Sequence, residues 1–419
     1  MKGLKAIVGI LVLGVIVESP RAEAKNNFGT RKVKLELTTL LAQVKVKDAQ
    51  FYFKQGNARA NSGDVKGAIE DYNQALRINP NFAEAYFNRG LARAGSGDVK
   101  GAIEDYNQAL RINPSLTEAY NNRGNARANS GDVKGAIEDY NQALRINPNL
   151  TQAYFNRGFA RADSGDVKGA IEDYNQALRI NPNLTFVYNN RGFARAGSGD
   201  IKGAIEDYNQ ALRINPNYAI AYYNRGIARA NSGDVKGAIE DYNQALRINP
   251  NYAEAYYNRG LARADSGDVK GAIEDYNQAL RINPNLTFAY NNRGFARADS
   301  GDVKGAIEDY NQALRINPNY ARAYYNRGFA RAGSGDVKGA IEDYNQALRI
   351  NPNYAEAYYN RGIAYASSGD DHLAIDDLQK AANLFQEQGN TAEYQAVIKK
   401  IKQIRGRVSA EIRANWDTL

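Results

Sequence analysis

The chain has 419 residues, 43% hydrophobic and 24% charged, a balance that suits a soluble, ordered protein. Its net charge of +8 would permit an anionic partner, but the basic residues are spread along the whole length. With no cysteine and a single histidine, His372, the composition excludes disulfides, thiolate metal sites and cysteine nucleophiles, and leaves little for hydrolytic or metal chemistry.

Residues 1–24 read as an export leader. Lys2 and Lys5 form a basic start, Ala6 to Val17 runs uncharged for about twelve residues, and Ala22-Glu23-Ala24 puts small residues where a signal peptidase reads. A spanning helix needs roughly 20 apolar residues, so the stretch is short for an anchor. Cleavage after Ala24 is therefore expected, with no transmembrane span after processing and a periplasmic or extracellular location; retention as an anchor is the other reading. The absence of cysteine excludes a lipoprotein anchor. Residues 25–48 follow as a polar segment with a lead-in helix expected near 35–46.

From there the chain repeats. Nine Asn-Pro steps, from Asn79-Pro80 to Asn351-Pro352, recur every 34 residues. With Ala49 as position one, ten units fill 49–82, 83–116, 117–150, 151–184, 185–218, 219–252, 253–286, 287–320, 321–354 and 355–388. The tenth has Gln386 in place of proline. In the second unit Tyr86, Gly90 and Ala94 share one side of a first helix, which Ser96-Gly97-Asp98 breaks. Asp98 is placed to cap a second helix carrying Ala102, Ile103, Tyr106, Ala109, Leu110 and Ile112 at helical spacing. Asn113-Pro114 ends it, because proline disfavours the helical conformation of the residue before it. The large apolar side chains of one unit are too few to offset the ordering of its backbone, so neighbouring units must complete the core. In 389–419, Tyr394, Val397, Ile398, Ile401 and Ile404 form one apolar stripe, with Lys399, Lys400, Lys402 and Arg405 on the other faces. That is the pattern of a capping helix followed by a tail.

The aromatic at position four (Tyr86), Gly90, Ala102, Tyr106, Ala109 and Pro114 resemble the tetratricopeptide pattern, over about 340 of 419 residues. Two positions depart from it: Arg89 stands where the family usually has leucine, and Arg93 where it usually has a large aromatic. Such variants look like those of bacterial, particularly cyanobacterial, members. The resemblance implies an all-α, right-handed superhelical solenoid of ten helix-turn-helix hairpins, with first helices lining a concave groove and the terminal helix as cap.

Between units most positions recur nearly verbatim, while two, five, nine and thirteen change. Their spacing puts them in one stripe on the first helix. Position nine is Leu, Ile or Phe in eight of ten units, whereas unconstrained surface drift favours polar residues. The resemblance implies that this stripe faces the groove. The expected contacts to a protein or peptide ligand are Phe155, Phe159, Phe193, Tyr223, Ile227, Tyr257, Leu261, Phe295, Tyr325 and Phe329. Position five holds no lysine, which argues against a clamp for acidic chaperone tails.

No catalytic residue, cofactor or metal site is expected. Asp370-Asp371-His372 is a weak signal, and His372 fills a slot held elsewhere by lysine such as Lys338, so a solvated residue is expected. No unit is dominated by basic residues, and an exported chain is not expected to bind nucleic acid. Arg89 and Arg93, at i and i+4, face the acidic pair Glu104 and Asp105. Read as exposed ion pairs worth about 0–1 kcal/mol each, they would tune register more than stability. The leading function is a non-enzymatic scaffold for peptide or protein segments. The alternatives are a structural spacer acting by stacking or self-association, and an anion or polysaccharide binder using the arginine rows.

Overall fold

The computed structural model describes residues 48–417; the leader at 1–24 and the lead-in helix near 35–46 lie outside them. All regular structure among the described residues is α-helical. The chain divides into two compact units between Pro148 and Asn149. The first holds three hairpins: α1 (Ala49–Asn61) with α2 (Val65–Ile78), α3 (Ala83–Gly95) with α4 (Val99–Ile112), and α5 (Thr117–Asn129) with α6 (Val133–Ile146).

The second unit holds seven hairpins and a closing helix. They are α7 (Thr151–Asp163) with α8 (Val167–Ile180), α9 (Thr185–Gly197) with α10 (Ile201–Ile214), and α11 (Ala219–Asn231) with α12 (Val235–Ile248). Then come α13 (Ala253–Asp265) with α14 (Val269–Ile282), α15 (Thr287–Asp299) with α16 (Val303–Ile316), and α17 (Ala321–Gly333) with α18 (Val337–Ile350). The last hairpin is α19 (Ala355–Ser368) with α20 (Asp371–Glu387), and α21 (Thr391–Asp417) closes the unit. Within each unit every helix packs on its hairpin partner and on the next hairpin, so each is an all-α solenoid.

Local chemistry sets each turn. Gly97 lies at φ +87°, a left-handed backbone that a side chain would strain, and its N–H donates to the Ala94 carbonyl at 3.1 Å. The Asp98 carboxylate accepts from the Gly101 amide at 2.9 Å, satisfying an otherwise open donor at the start of α4. The same cap recurs from Asp64 to Asp336. At the far end the Asn113 side chain accepts from the Ser115 amide at 3.1 Å, folding the chain toward the next hairpin.

The core is narrower than the count of large side chains suggests. Tyr106 is 1% exposed, and its ring lies against Gly90, where an added Cβ would meet it at 2.7 Å. Ala102 and Tyr106 pack on Ala126 of the next hairpin. In the second unit Ala211 and Leu212 pack on Ala221 in the same way. Ile103 and Tyr86, by contrast, are only half-buried, and the terminal isoleucine of the second helix is partly exposed, 50% at Ile78 and 41% at Ile146. Close packing of alanine, leucine and tyrosine, more than of isoleucine, carries the stack.

The arginines are more deeply engaged than an exposed ladder would be. Asp105 is only 2% exposed, whereas Glu104 beside it is exposed. Arg89 donates to both Asp105 oxygens, at 2.8 and 2.5 Å, and Arg93 reaches the same carboxylate at 3.0 Å. Arg89 also donates to the side-chain oxygen (Oδ1) of Asn73 in the preceding hairpin at 2.6 Å, and its guanidinium lies 5.3 Å from the Tyr86 ring centre. The pairing recurs down to Arg361 and Asp377. A buried carboxylate shared by two arginines is a structural lock whose breakage is costly, so the expectation of a weak exposed pair is corrected.

The stripe on α21 closes the second unit. Val397, Ile401 and Ile404 are buried against Leu378, Ala382 and Phe385, with Tyr394 and Ile398 half-buried at the margin. Arg407 donates to the Asp371 carboxylate and to the Ala366 carbonyl, tying the helix to the last hairpin. His372 stands 96% exposed, 3.7 Å from Asp376.

Candidate functional site

Successive first helices of the second unit lie side by side, so equivalent positions form rows across them. Position nine is the outermost apolar row. Phe159, Phe193, Phe295 and Phe329 are 57%, 67%, 61% and 61% exposed. Ile227 and Leu261 continue the row half-buried. Three clefts open along it. One of about 470 Å³ is lined by Phe295, Phe329, Tyr310, Tyr325, Asn326 and Asp299. A second, of about 240 Å³, is lined by Phe193, Ile227, Tyr208 and Asn224. The third, about 210 Å³, is lined by Ile227, Leu261, Tyr242, Asn258 and Asp265.

Position five plays a different part. Tyr223, Tyr257 and Tyr325 rest on the buried Tyr242, Tyr276 and Tyr344, with ring centres 6.2, 6.0 and 6.1 Å apart. Their hydroxyls accept from the amides of Asn258, Asn292 and Asn360 in the next hairpin, at 2.9, 3.0 and 2.9 Å. Phe155 packs on Tyr174 at 6.1 Å and edge-on to Phe186 at 4.7 Å. These four brace one first helix against its neighbours as well as bordering the face. Of the ten candidates, Phe193, Ile227, Leu261, Phe295, Tyr325 and Phe329 line these three clefts.

Residues outside the expected set also reach the face. Phe288 at position two is exposed, and its ring meets Tyr320 edge-on at 5.4 Å. Asn224 and Asn326, both at position six, line clefts, and each donates to the position-five asparagine of the preceding hairpin, Asn189 at 3.0 Å and Asn291 at 2.9 Å. Position six is asparagine in nine units out of ten, so a search for variation between units passes over it.

The tyrosine hydroxyls are the perturbed groups. Burial, with a smaller contribution from the adjacent Asp207 or Asp309, pushes Tyr208 and Tyr310 well above the usual phenol value. Burial likewise raises Tyr252 to about 12, helped by Tyr223 and Glu254. Such hydroxyls stay neutral at physiological pH and can donate a hydrogen bond to a carbonyl oxygen. Among the described residues no group of His, Asp and Glu is arranged to hold a metal, and no helix is long and apolar enough to cross a membrane. The site offers apolar contact and hydrogen bonds.

Comparison with known proteins fits this architecture. The TPR-repeat family model matches residues 56–97, 95–131, 124–165, 196–233, 228–267, 296–335 and 332–369. Tetratricopeptide-repeat models match 151–184, 253–286 and 355–388. No curated protein matches the chain. Among solved structures, MamA is 28% identical over 41% of this chain and 94% of its own, with a TM-score of 0.38. YrrB, described as a TPR protein with an unusual peptide-binding site, is 24% identical over 46% and 98%, with a TM-score of 0.41. A tetratricopeptide-repeat protein from Parabacteroides merdae is 20% identical over 59% and 98%, with a TM-score of 0.46. With family matches over well more than half its length and one hairpin every 34 residues, the chain belongs to the tetratricopeptide-repeat family.

Proposed function

We propose that the chain is a non-enzymatic scaffold, exported from the cytosol, that binds extended peptide or protein segments on the first-helix face of its second unit. Proteins of the tetratricopeptide-repeat family bind protein or peptide partners. One observation carries the more specific reading. The recurrent aromatic of the second helix, such as Tyr208 or Tyr310, is buried, while four phenyl rings at position nine stand more than half exposed in a row. Covering one such ring is worth roughly 1.5–3 kcal/mol, so several together can hold a segment that alone has no structure. Clefts between the rings suit side chains spaced along an extended chain. The arginine rows are a poor anion track, because both arginines of a hairpin are spent on one buried carboxylate.

The test is selection of a displayed twelve-residue peptide library on the full chain and on a variant with Phe159, Phe193, Phe295 and Phe329 changed to serine. The variant's helix content is first checked by circular dichroism. Enriched sequences that bind the native chain and lose at least tenfold in affinity on the variant support the reading. Sequences that bind both equally would place recognition elsewhere. The leader at 1–24 supports export, and protein recovered from the native host's envelope should begin at Lys25. A start at Met1 would contradict cleavage.

A further inference from the structure

We propose that the segment bound on this face is cationic, with lysine or arginine side chains interleaved among apolar ones. The inference rests on the groove reading and adds the charge of its occupant. The chain as a whole is basic, yet the exposed charges of this face are not. In the second unit positions two and thirteen carry five carboxylates, Asp163, Glu254, Asp265, Asp299 and Glu356, against one cation, Arg322. All five carboxylates are exposed, and none forms an ion pair among the described residues.

The arginines of the same helices do not offset them. Arg293 and Arg297 both grip the buried Asp309, at 2.5 and 3.0 Å, and Arg297 also lies 3.8 Å from Asp302. The basic surplus sits instead on the second helix, where Lys304 and Arg315 are exposed against one exposed carboxylate, Glu308. Charge is thus segregated: the aromatic face is acidic and the second-helix face is basic.

The cleft of about 470 Å³ brings the two features together. Asp299 lines it together with the exposed rings of Phe295 and Phe329, and Tyr310 forms part of its wall. Asp299 is also the last residue of α15, where the helix dipole adds partial negative charge. A carboxylate beside two phenyl faces attracts a cationic side chain through its charge and through the ring quadrupoles, while the rings cover the aliphatic stem. Asp265 repeats the arrangement beside Leu261 in the smaller cleft. A glutamate side chain in either place would meet like charge.

The experiment uses three fluorescein-labelled twelve-residue peptides, each with four leucines and four serines, and with four lysines, glutamines or glutamates. Affinity for the full chain is read by anisotropy at low and at physiological salt. The lysine peptide should bind roughly five- to tenfold tighter than the glutamine peptide, and the glutamate peptide most weakly. Glu254→Gln, Asp265→Asn and Asp299→Asn together should bring the lysine peptide to the level at which the glutamine peptide binds the same variant. Equal binding of the three peptides would overturn the charge inference and leave the groove reading standing. Lysine-peptide binding that survives Phe193→Ser, Phe295→Ser and Phe329→Ser would overturn it too, since the cation would then sit away from the rings. If none of the three binds, both readings fall.

Discussion

Two neighbouring acidic residues show how differently adjacent positions can behave. Glu274 and Asp275 look alike in sequence, but a step of about 100° around the helix puts one in water and the other against the first helix. Removing Asp275 leaves Arg259 and Arg263 facing each other without their shared carboxylate, which they contact at 2.5 and 3.0 Å. Asp275→Ala should therefore cost about 3–5 kcal/mol, whereas Glu274→Gln should stay within about 0.5 kcal/mol. Hydrogen exchange of the α13 and α14 amides checks both, because a repeat array need not unfold in one step. The tyrosines give a pH test. Their folded-state pKa values are raised by burial, so the fold binds these phenol protons more tightly than the unfolded chain does. The stabilisation is complete below pH 10 and is lost as pH rises above it. Alkaline titration followed by tyrosinate absorbance should show the buried tyrosines ionising together with loss of helix. Smooth titration at pH 10 with the helices intact would contradict this burial.

The hairpin was the most legible element. Ser96-Gly97-Asp98 announces a break, Asp98 a cap and Pro114 a stop, and the cap appears with its expected partner in the first turn of the second helix. The capping helix was equally plain, because five apolar residues at helical spacing have one place to go. What could not be read was the division of labour along the first helix. Positions five and nine lie on one stripe, yet five leans inward on the buried tyrosine and nine faces out. That difference depends on where the neighbouring hairpin sits, which spacing within one helix does not encode. The cap carries its own prediction. Val397→Asp with Ile401→Asp puts charge into a closed apolar cluster, so α21 should detach and the α19–α20 amides should exchange at least tenfold faster. Amides of α9 and α10 should be unchanged, because coupling in a repeat array runs between neighbours. Uniform acceleration along the unit would mean that the cap supports more than its own hairpin.

At the scale of the whole chain, repetition makes the fold easy to read and the function hard. Nine nearly identical second helices establish the architecture, while the few positions that change carry whatever specificity exists. Variation between units pointed to the aromatic stripe, but it passed over the position-six asparagines, which are constant in nine of the ten units and still reach the clefts. It also gave no sign that the arginines would be spent on buried carboxylates, leaving the face acidic in a basic chain. The central claim is that partners bind the face bearing Phe193 and Phe295, not the second-helix face bearing Lys202 and Lys304. The measurement that tests it most directly is site-specific photo-crosslinking, with a benzophenone amino acid placed at each of these four positions in turn and irradiated with a peptide selected on the native chain. Adducts are expected from positions 193 and 295, and none above background from 202 and 304. Adducts confined to 202 and 304, or equal at all four, would contradict it.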